Sequence, residues 1–186
     1  MGVATDGEGR KDPTVERAAE RVVLMPPEYK ELSGPVVFLG GPIQQTWDWQ
    51  AEAIGHFDRL APSLHVASPR REYLPGEFVY GDQVDWETHY LRRAGEDGVV
   101  MFWLAGYTEH DPERSYAQTS RAELFEWKVR HERDDVLLVV GIEEGFSGAR
   151  YIRRRFGQDC PEVPILDSLA DTCREAAGLV RVVEDH

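Results

Sequence analysis

A chain of 186 residues with 41% hydrophobic and 10% aromatic content carries enough apolar material for one domain with a sizeable core, which excludes an intrinsically disordered chain. Its 34 acidic against 21 basic residues leave a net charge of −13, and that excludes a nucleic-acid polymer or an anionic membrane surface as partner, since either needs a basic footprint. A small nucleoside or nucleotide stays open, because a few placed donors suffice to hold it.

Residues 1–13 are polar and rich in Gly and Asp, and residues 1–20 read as a flexible N-terminal tail ahead of one domain over 21–186. Residues 21–25 form a short edge strand ended by Pro26-Pro27. Residues 35–39 are a β-branched run closed by Gly40-Gly41-Pro42, a buried strand with a tight turn. A helix follows over 47–60, with Trp49, Ala53 and Phe57 in i, i+4 steps. Residues 65–68 are the next strand, stopped by Pro69. Residues 82–94 are helical, with Asp82 as cap. Residues 99–104 are a strand and 119–133 a helix. The run 136–140, ended by Gly141, is the clearest central strand. A short helix over 147–156 with Ser147 as cap, an edge strand at 163–165 and a closing helix over 166–182 complete the chain.

Strands alternating with helices predict a single α/β domain, doubly wound in the Rossmann or flavodoxin manner. Its sheet is mostly parallel and five-stranded, with helices on both faces. The two long irregular stretches, 70–81 and 105–118, each follow a strand, where functional residues gather.

Several chemistries are missing from the sequence. Gly40-Gly41-Pro42 is not G-x-G-x-x-G, and there is no G-K-[ST] phosphate loop or G-x-S-x-G elbow. The six histidines form no close metal pair, and Cys160 and Cys173 make neither a disulfide framework nor a metal site. No metal and no cofactor is expected. No apolar run approaches membrane-spanning length and the first residues lack the apolar core of a signal peptide, so a reducing cytoplasm is the expected compartment.

The segment Thr119-Ser120-Arg121-Ala122-Glu123 carries the sharpest chemical signal. Glu123 is expected in the first turn of a helix that follows a buried strand and a loop, where backbone N–H groups favour a negative charge. Such a carboxylate stays ionised at neutral pH and is available as a nucleophile. Ser120-x-x-Glu123 is also the pattern of a capping box, in which the glutamate only satisfies an amide. Arg121, at the same helix start, is a candidate phosphate ligand. The run Arg150, Arg153, Arg154, Arg155 reads as a solvated face or a phosphate grip. Asp97 is a turn residue beside Gly98, at the sheet edge away from any site.

Three blocks in order together resemble the nucleoside 2-deoxyribosyltransferase-like family. They are Val37-Phe38-Leu39-Gly40-Gly41-Pro42-Ile43-Gln44 with Trp47 and Trp49-Gln50; Gln83-Val84-Asp85-Trp86-Glu87; and Val100-Met101-Phe102-Trp103-Leu104 followed by Thr119-Ser120-Arg121-Ala122-Glu123 and Trp127. A weaker block is Gly141-Ile142 with Phe146 and Gly148, so the likeness spans about residues 35–150. The resemblance implies that Glu123 attacks the anomeric carbon of a nucleoside sugar. An aspartate six residues earlier serves the leaving base in well-known members, and here that position is Ala117. Asp85 is the catalytic replacement expected, with Glu87 as a second candidate.

The implied reaction is N-glycosyl transfer on 2′-deoxynucleosides through a glycosyl-glutamate intermediate. The alternatives are an N-glycosidase acting on nucleosides or their 5′-monophosphates, and a nucleotide-sensing domain without turnover. Substrate-binding candidates are the backbone turn Gly40, Gly41, Pro42 and Ile43, the amides of Gln44 and Gln83, the rings of Trp47, Trp86 and Trp103, and Thr119, Ser120 and Arg121 at the helix start. A base stacked on one such ring is held by ~1–3 kcal/mol. The partners expected are a nucleoside or nucleotide and a free nucleobase. The resemblance also implies a homodimer or higher homo-oligomer.

Overall fold

The computed structural model describes residues 21–71, 79–108 and 115–184, with side chains to residue 180 in the last helix. The expected tail over residues 1–20 lies outside them, as do the middles of the two long irregular stretches. The elements in chain order are β1 (Val23–Leu24), β2 (Val36–Gly40), α1 (Trp49–Leu60), β3 (His65–Ala67), α2 (Tyr80–Glu96), β4 (Gly98–Leu104), α3 (Gln118–Asp134), β5 (Leu138–Ile142), α4 (Ala149–Asp159), β6 (Ile165–Leu166) and α5 (Leu169–Glu184).

The strands form a six-stranded sheet in the order β1-β3-β2-β4-β5-β6, and every pair is parallel. The expectation of five strands is therefore corrected to six. Both edge segments read from the sequence join the sheet, and β1 and β6 each keep only two residues in register.

Strand alternation sorts the core into two layers. Val37, Leu39, Val99, Met101 and Trp103 point to the face covered by α1 and α5, where Trp49, Phe57, Cys173 and Val180 meet them. Val36, Phe38, Val100, Phe102 and Leu104 point to the other face, against Trp86 and Tyr90 of α2, Leu124 and Trp127 of α3 and Ile152 and Phe156 of α4. Both faces being covered explains why the central strands read as continuous apolar runs.

Several boundaries differ from the expectations, three of them with a clear local cause. α2 begins two residues earlier than Asp82, with Val79 as an extended N-cap and no side-chain cap. α4 begins at Ala149 after Gly148 at φ 82°, so Ser147 is not its cap. β5 runs through Gly141 instead of stopping there. A Cβ on Gly141 would lie 2.2 Å from Thr172 Oγ1 and 2.4 Å from the Trp103 ring, so this glycine serves close packing and not a turn.

Candidate functional site

The strand order reverses between β2 and β4. The chain leaves β2 through α1 toward β3, and leaves β4 through α3 toward β5. That divergence opens a crevice at the carboxyl ends of β2 and β4, the usual place for a ligand in an open α/β sheet. The loops on its two sides are tied together. Thr46 Oγ1 donates to the Gly106 carbonyl at 2.9 Å and Thr108 N to the Gln45 carbonyl at 2.8 Å.

Gly41 sits at φ 142°, and a Cβ there would lie 2.2 Å from the Trp103 carbonyl oxygen. Only glycine lets the chain turn this close to β4. Pro42 is buried and its carbonyl accepts from Trp49 Nε1 at 2.8 Å, so the turn is anchored to the first residue of α1. Gly40 lies against the Phe102 ring, Ile43 is half-buried and Gln44 is exposed on the loop.

Around this turn stand polar groups that sequence reasoning missed. Glu143, directly after β5, accepts from Gly106 N at 2.5 Å and from Trp47 Nε1 at 3.3 Å. Tyr116 donates to the Ala105 carbonyl at 2.6 Å, and burial raises its pKa. Arg70, after β3, donates through Nε to Gln50 Oε1 at 2.9 Å and through Nη2 to the Trp47 carbonyl at 3.0 Å, and it pairs with Asp48 at 3.2 Å. The available signal was positional: Arg70 and Glu143 lie just beyond the carboxyl ends of β3 and β5, and Tyr116 lies in the loop between β4 and α3.

α3 corrects the reading of its own start. Its N-cap is Ala117, in the left-handed region at φ 52°, and no side chain caps it. Ser120 is thus the third helical residue, buried, and Glu123 lies in the second turn; Thr119 is exposed. The expected capping box is absent, and so is the expected first-turn carboxylate. Glu123 is half-buried, and burial first, then the charges of Glu87 and Glu126, push its pKa up to about 8. The expectation of a carboxylate ionised at neutral pH fails for a physical reason: desolvation and like charge both penalise the anion.

The neighbour responsible is Glu87 and not Asp85. Glu87 is half-buried, with its own pKa raised by burial against the opposing hydrogen bond from Gln83. Gln83 Nε2 donates to Glu87 Oε1 at 2.7 Å and to the Pro69 carbonyl at 2.9 Å. Asp85 is exposed and borders a shallow surface hollow with Thr88, His89 and Arg92. Residues 83 and 87 share a face of α2, and residue 85, the catalytic replacement expected from the sequence, stands on another.

Two of the three tryptophans are also reassigned. Trp86 is fully buried, donates Nε1 to the Glu28 carbonyl at 2.7 Å and packs on Phe38 and Tyr90. Trp103 is 2% exposed and lies in the α1/α5 layer, across the sheet from Glu123. Neither offers a stacking face. Trp47 remains half-buried at the crevice.

Arg121 is spent on structure. Its guanidinium donates to the Tyr116 carbonyl at 2.5 Å and the Ser147 carbonyl at 2.7 Å, and it lies over Phe146 at 4.7 Å, fastening the start of α3 to the β5–α4 loop. In the arginine run, Arg155 pairs with Asp159 at 2.8 Å and Arg153 with Asp167, while Arg150 and Arg154 are exposed. Asp97 caps the end of α2 at the far sheet edge, as expected. Among the described residues no group of three or more His, Cys, Asp or Glu side chains is placed to hold a metal ion, and no helix is long and apolar enough to cross a membrane.

What the crevice can do follows from these groups. A glycine turn that admits close backbone approach and a half-buried indole lie at the crevice, and α2 and α3 carry two carboxyl groups whose burial favours a retained proton. No protein-family model and no curated protein matches this chain.

Proposed function

We propose that the protein cleaves and exchanges the N-glycosidic bond of 2′-deoxynucleosides, using Glu87 and Glu123 as a pair. The observation that carries this reading is the perturbed carboxyl pair on α2 and α3 at the carboxyl edge of the parallel sheet. Two carboxyl groups, one protonated and one ionised, are the equipment that glycosidic cleavage needs. The resemblance in sequence gives Glu123 the part of nucleophile.

In this scheme the pair holds one proton at neutral pH. The proton that burial keeps on Glu123 at neutral pH passes to Glu87, and Glu123 then attacks the anomeric carbon as its carboxylate. The C–N bond breaks, its electron pair leaves on the base nitrogen, and Glu87 protonates that nitrogen. A second base, deprotonated in turn by Glu87, attacks the glycosyl-Glu123 ester and restores the starting pair. Positive charge building on the sugar is stabilised by the Glu123 carboxylate. Trp47 and the Gly40-Gly41 turn flank the nucleoside.

The test is incubation with 2′-deoxynucleosides, with and without a second free base, followed by chromatography. A new nucleoside is the expected product. Free sugar and base would make the protein a hydrolase, and binding without turnover would make it a sensor. We propose further that the protein acts in the cytoplasm as a homodimer or higher homo-oligomer. The exposed apolar side chains Val79, Tyr80 and Val84 at the start of α2 favour association. A sedimentation profile of monomer alone at micromolar concentration would refute the oligomer.

A further inference from the structure

Gln83 is 7% exposed, yet its Oε1 is buried without a hydrogen-bond partner. The orientation of the carboxamide is fixed by chemistry: Nε2 faces the Pro69 carbonyl, which only accepts, so a flip would set oxygen against oxygen. An unmet buried acceptor is costly, and native structures leave few of them without a reason.

Its position supplies a reason. The oxygen and nitrogen of one carboxamide are about 2.3 Å apart, and Nε2 lies 2.7 Å from Glu87 Oε1, which holds the acceptor within about 5 Å of the carboxyl that serves the leaving base. We propose that Gln83 Oε1 determines base specificity by accepting a hydrogen bond from an exocyclic amine, so that the substrates are nucleosides of amino-bearing bases. This rests on the glycosyl-transfer reading, because Glu87 sets which end of the substrate lies beside Gln83. An amine donates to Oε1. An oxo group in its place can only accept, and it meets Oε1 as a second acceptor. A sugar hydroxyl donates too, but it belongs on the Glu123 side of the bond being broken.

The test uses protein carrying Glu123→Gln, which holds nucleoside without consuming it. Calorimetric titration compares 2′-deoxyadenosine with 2′-deoxyinosine, and 2′-deoxycytidine with 2′-deoxyuridine. We expect the amino member of at least one pair to bind at least about tenfold tighter, as sites built around a substrate donor reject the analogue lacking it. Adding Gln83→Met should erase that ratio. Equal binding of the members in both pairs overturns the assignment, and so does a ratio that survives Gln83→Met. A preference found only between nucleosides differing in a sugar hydroxyl overturns it as well. If wild-type protein turns nucleosides over and the pairs still bind equally, the specificity assignment alone falls. If nothing binds and nothing turns over, the reaction falls with it.

Discussion

Glu87 on α2 raises the pKa of Glu123 on α3, second only to the effect of burial. The two helices start at the same edge of the sheet and cover the same face, and burial is the first cause of the raised pKa of each carboxyl group. Interacting carboxyls of this kind titrate as a unit and not as independent groups.

Glu123→Gln should abolish turnover and raise stability at alkaline pH. An amide neither attacks the anomeric carbon nor balances its charge, and a loss of roughly 10³-fold corresponds to about 4 kcal/mol. The sign for stability runs opposite to that of an ordinary surface carboxylate. The folded pKa of about 8 lies above the ordinary glutamate value of 4.5. The folded state therefore holds the proton more tightly, and wild-type stability is lost as pH rises from the unfolded value through the folded one. The glutamine variant escapes that loss. Urea melts at pH 5 and pH 9 should show a flatter pH response in the variant; an unchanged difference would place Glu123 in solvent.

Glu87→Gln should change the shape of the pH profile. In wild type the active form holds one proton on the pair, so kcat/KM should fall on the alkaline side near pH 8, as the last proton leaves. Removing the Glu87 charge lowers the pKa of Glu123, and no proton remains for the base. Turnover should drop by ~10²–10⁴, the usual range for a lost general acid, and the alkaline limb should disappear. A variant with the wild-type limb would show that Glu87 is not the partner.

Asp85→Asn should leave turnover within a factor of about two, because an exposed surface substitution touches no buried group. Steady-state rates of Asp85→Asn and Glu87→Gln measured side by side decide which α2 carboxylate matters. A large loss in the asparagine variant would return the role to Asp85.

Trp86→Ala should destabilise the fold by ~3–5 kcal/mol, as for other large aromatic truncations in a core. It removes packing on Phe38 and Tyr90 and leaves the Glu28 carbonyl without its donor. Denaturant unfolding measures this. A loss confined to nucleoside binding, with the midpoint unmoved, would make Trp86 a ligand platform after all.

Much of the fold was legible because hydrophobic runs and turn residues are local. The runs that became β2, β4 and β5 are continuous and apolar since both sheet faces are covered, and Gly41 marks its turn through its own backbone requirement. The sequence by itself determined the alternation of strands and helices, the carboxyl edge as the place for a site, and Glu123 as a residue of interest. Local pattern failed where a distant contact decided the outcome. Gly141 continues a strand because Trp103 and Thr172 occupy the space a side chain would need. Ser120 lost its capping part because Ala117 turns the chain one residue before α3 begins. Only the tertiary structure brought Glu87 within electrostatic reach of Glu123, buried Trp86 and sent Trp103 to the opposite layer. Which residues share a desolvated space depends on how α2 and α3 pack across β2 and β4. That packing brings together positions 36 residues apart, and no sequence window spans it.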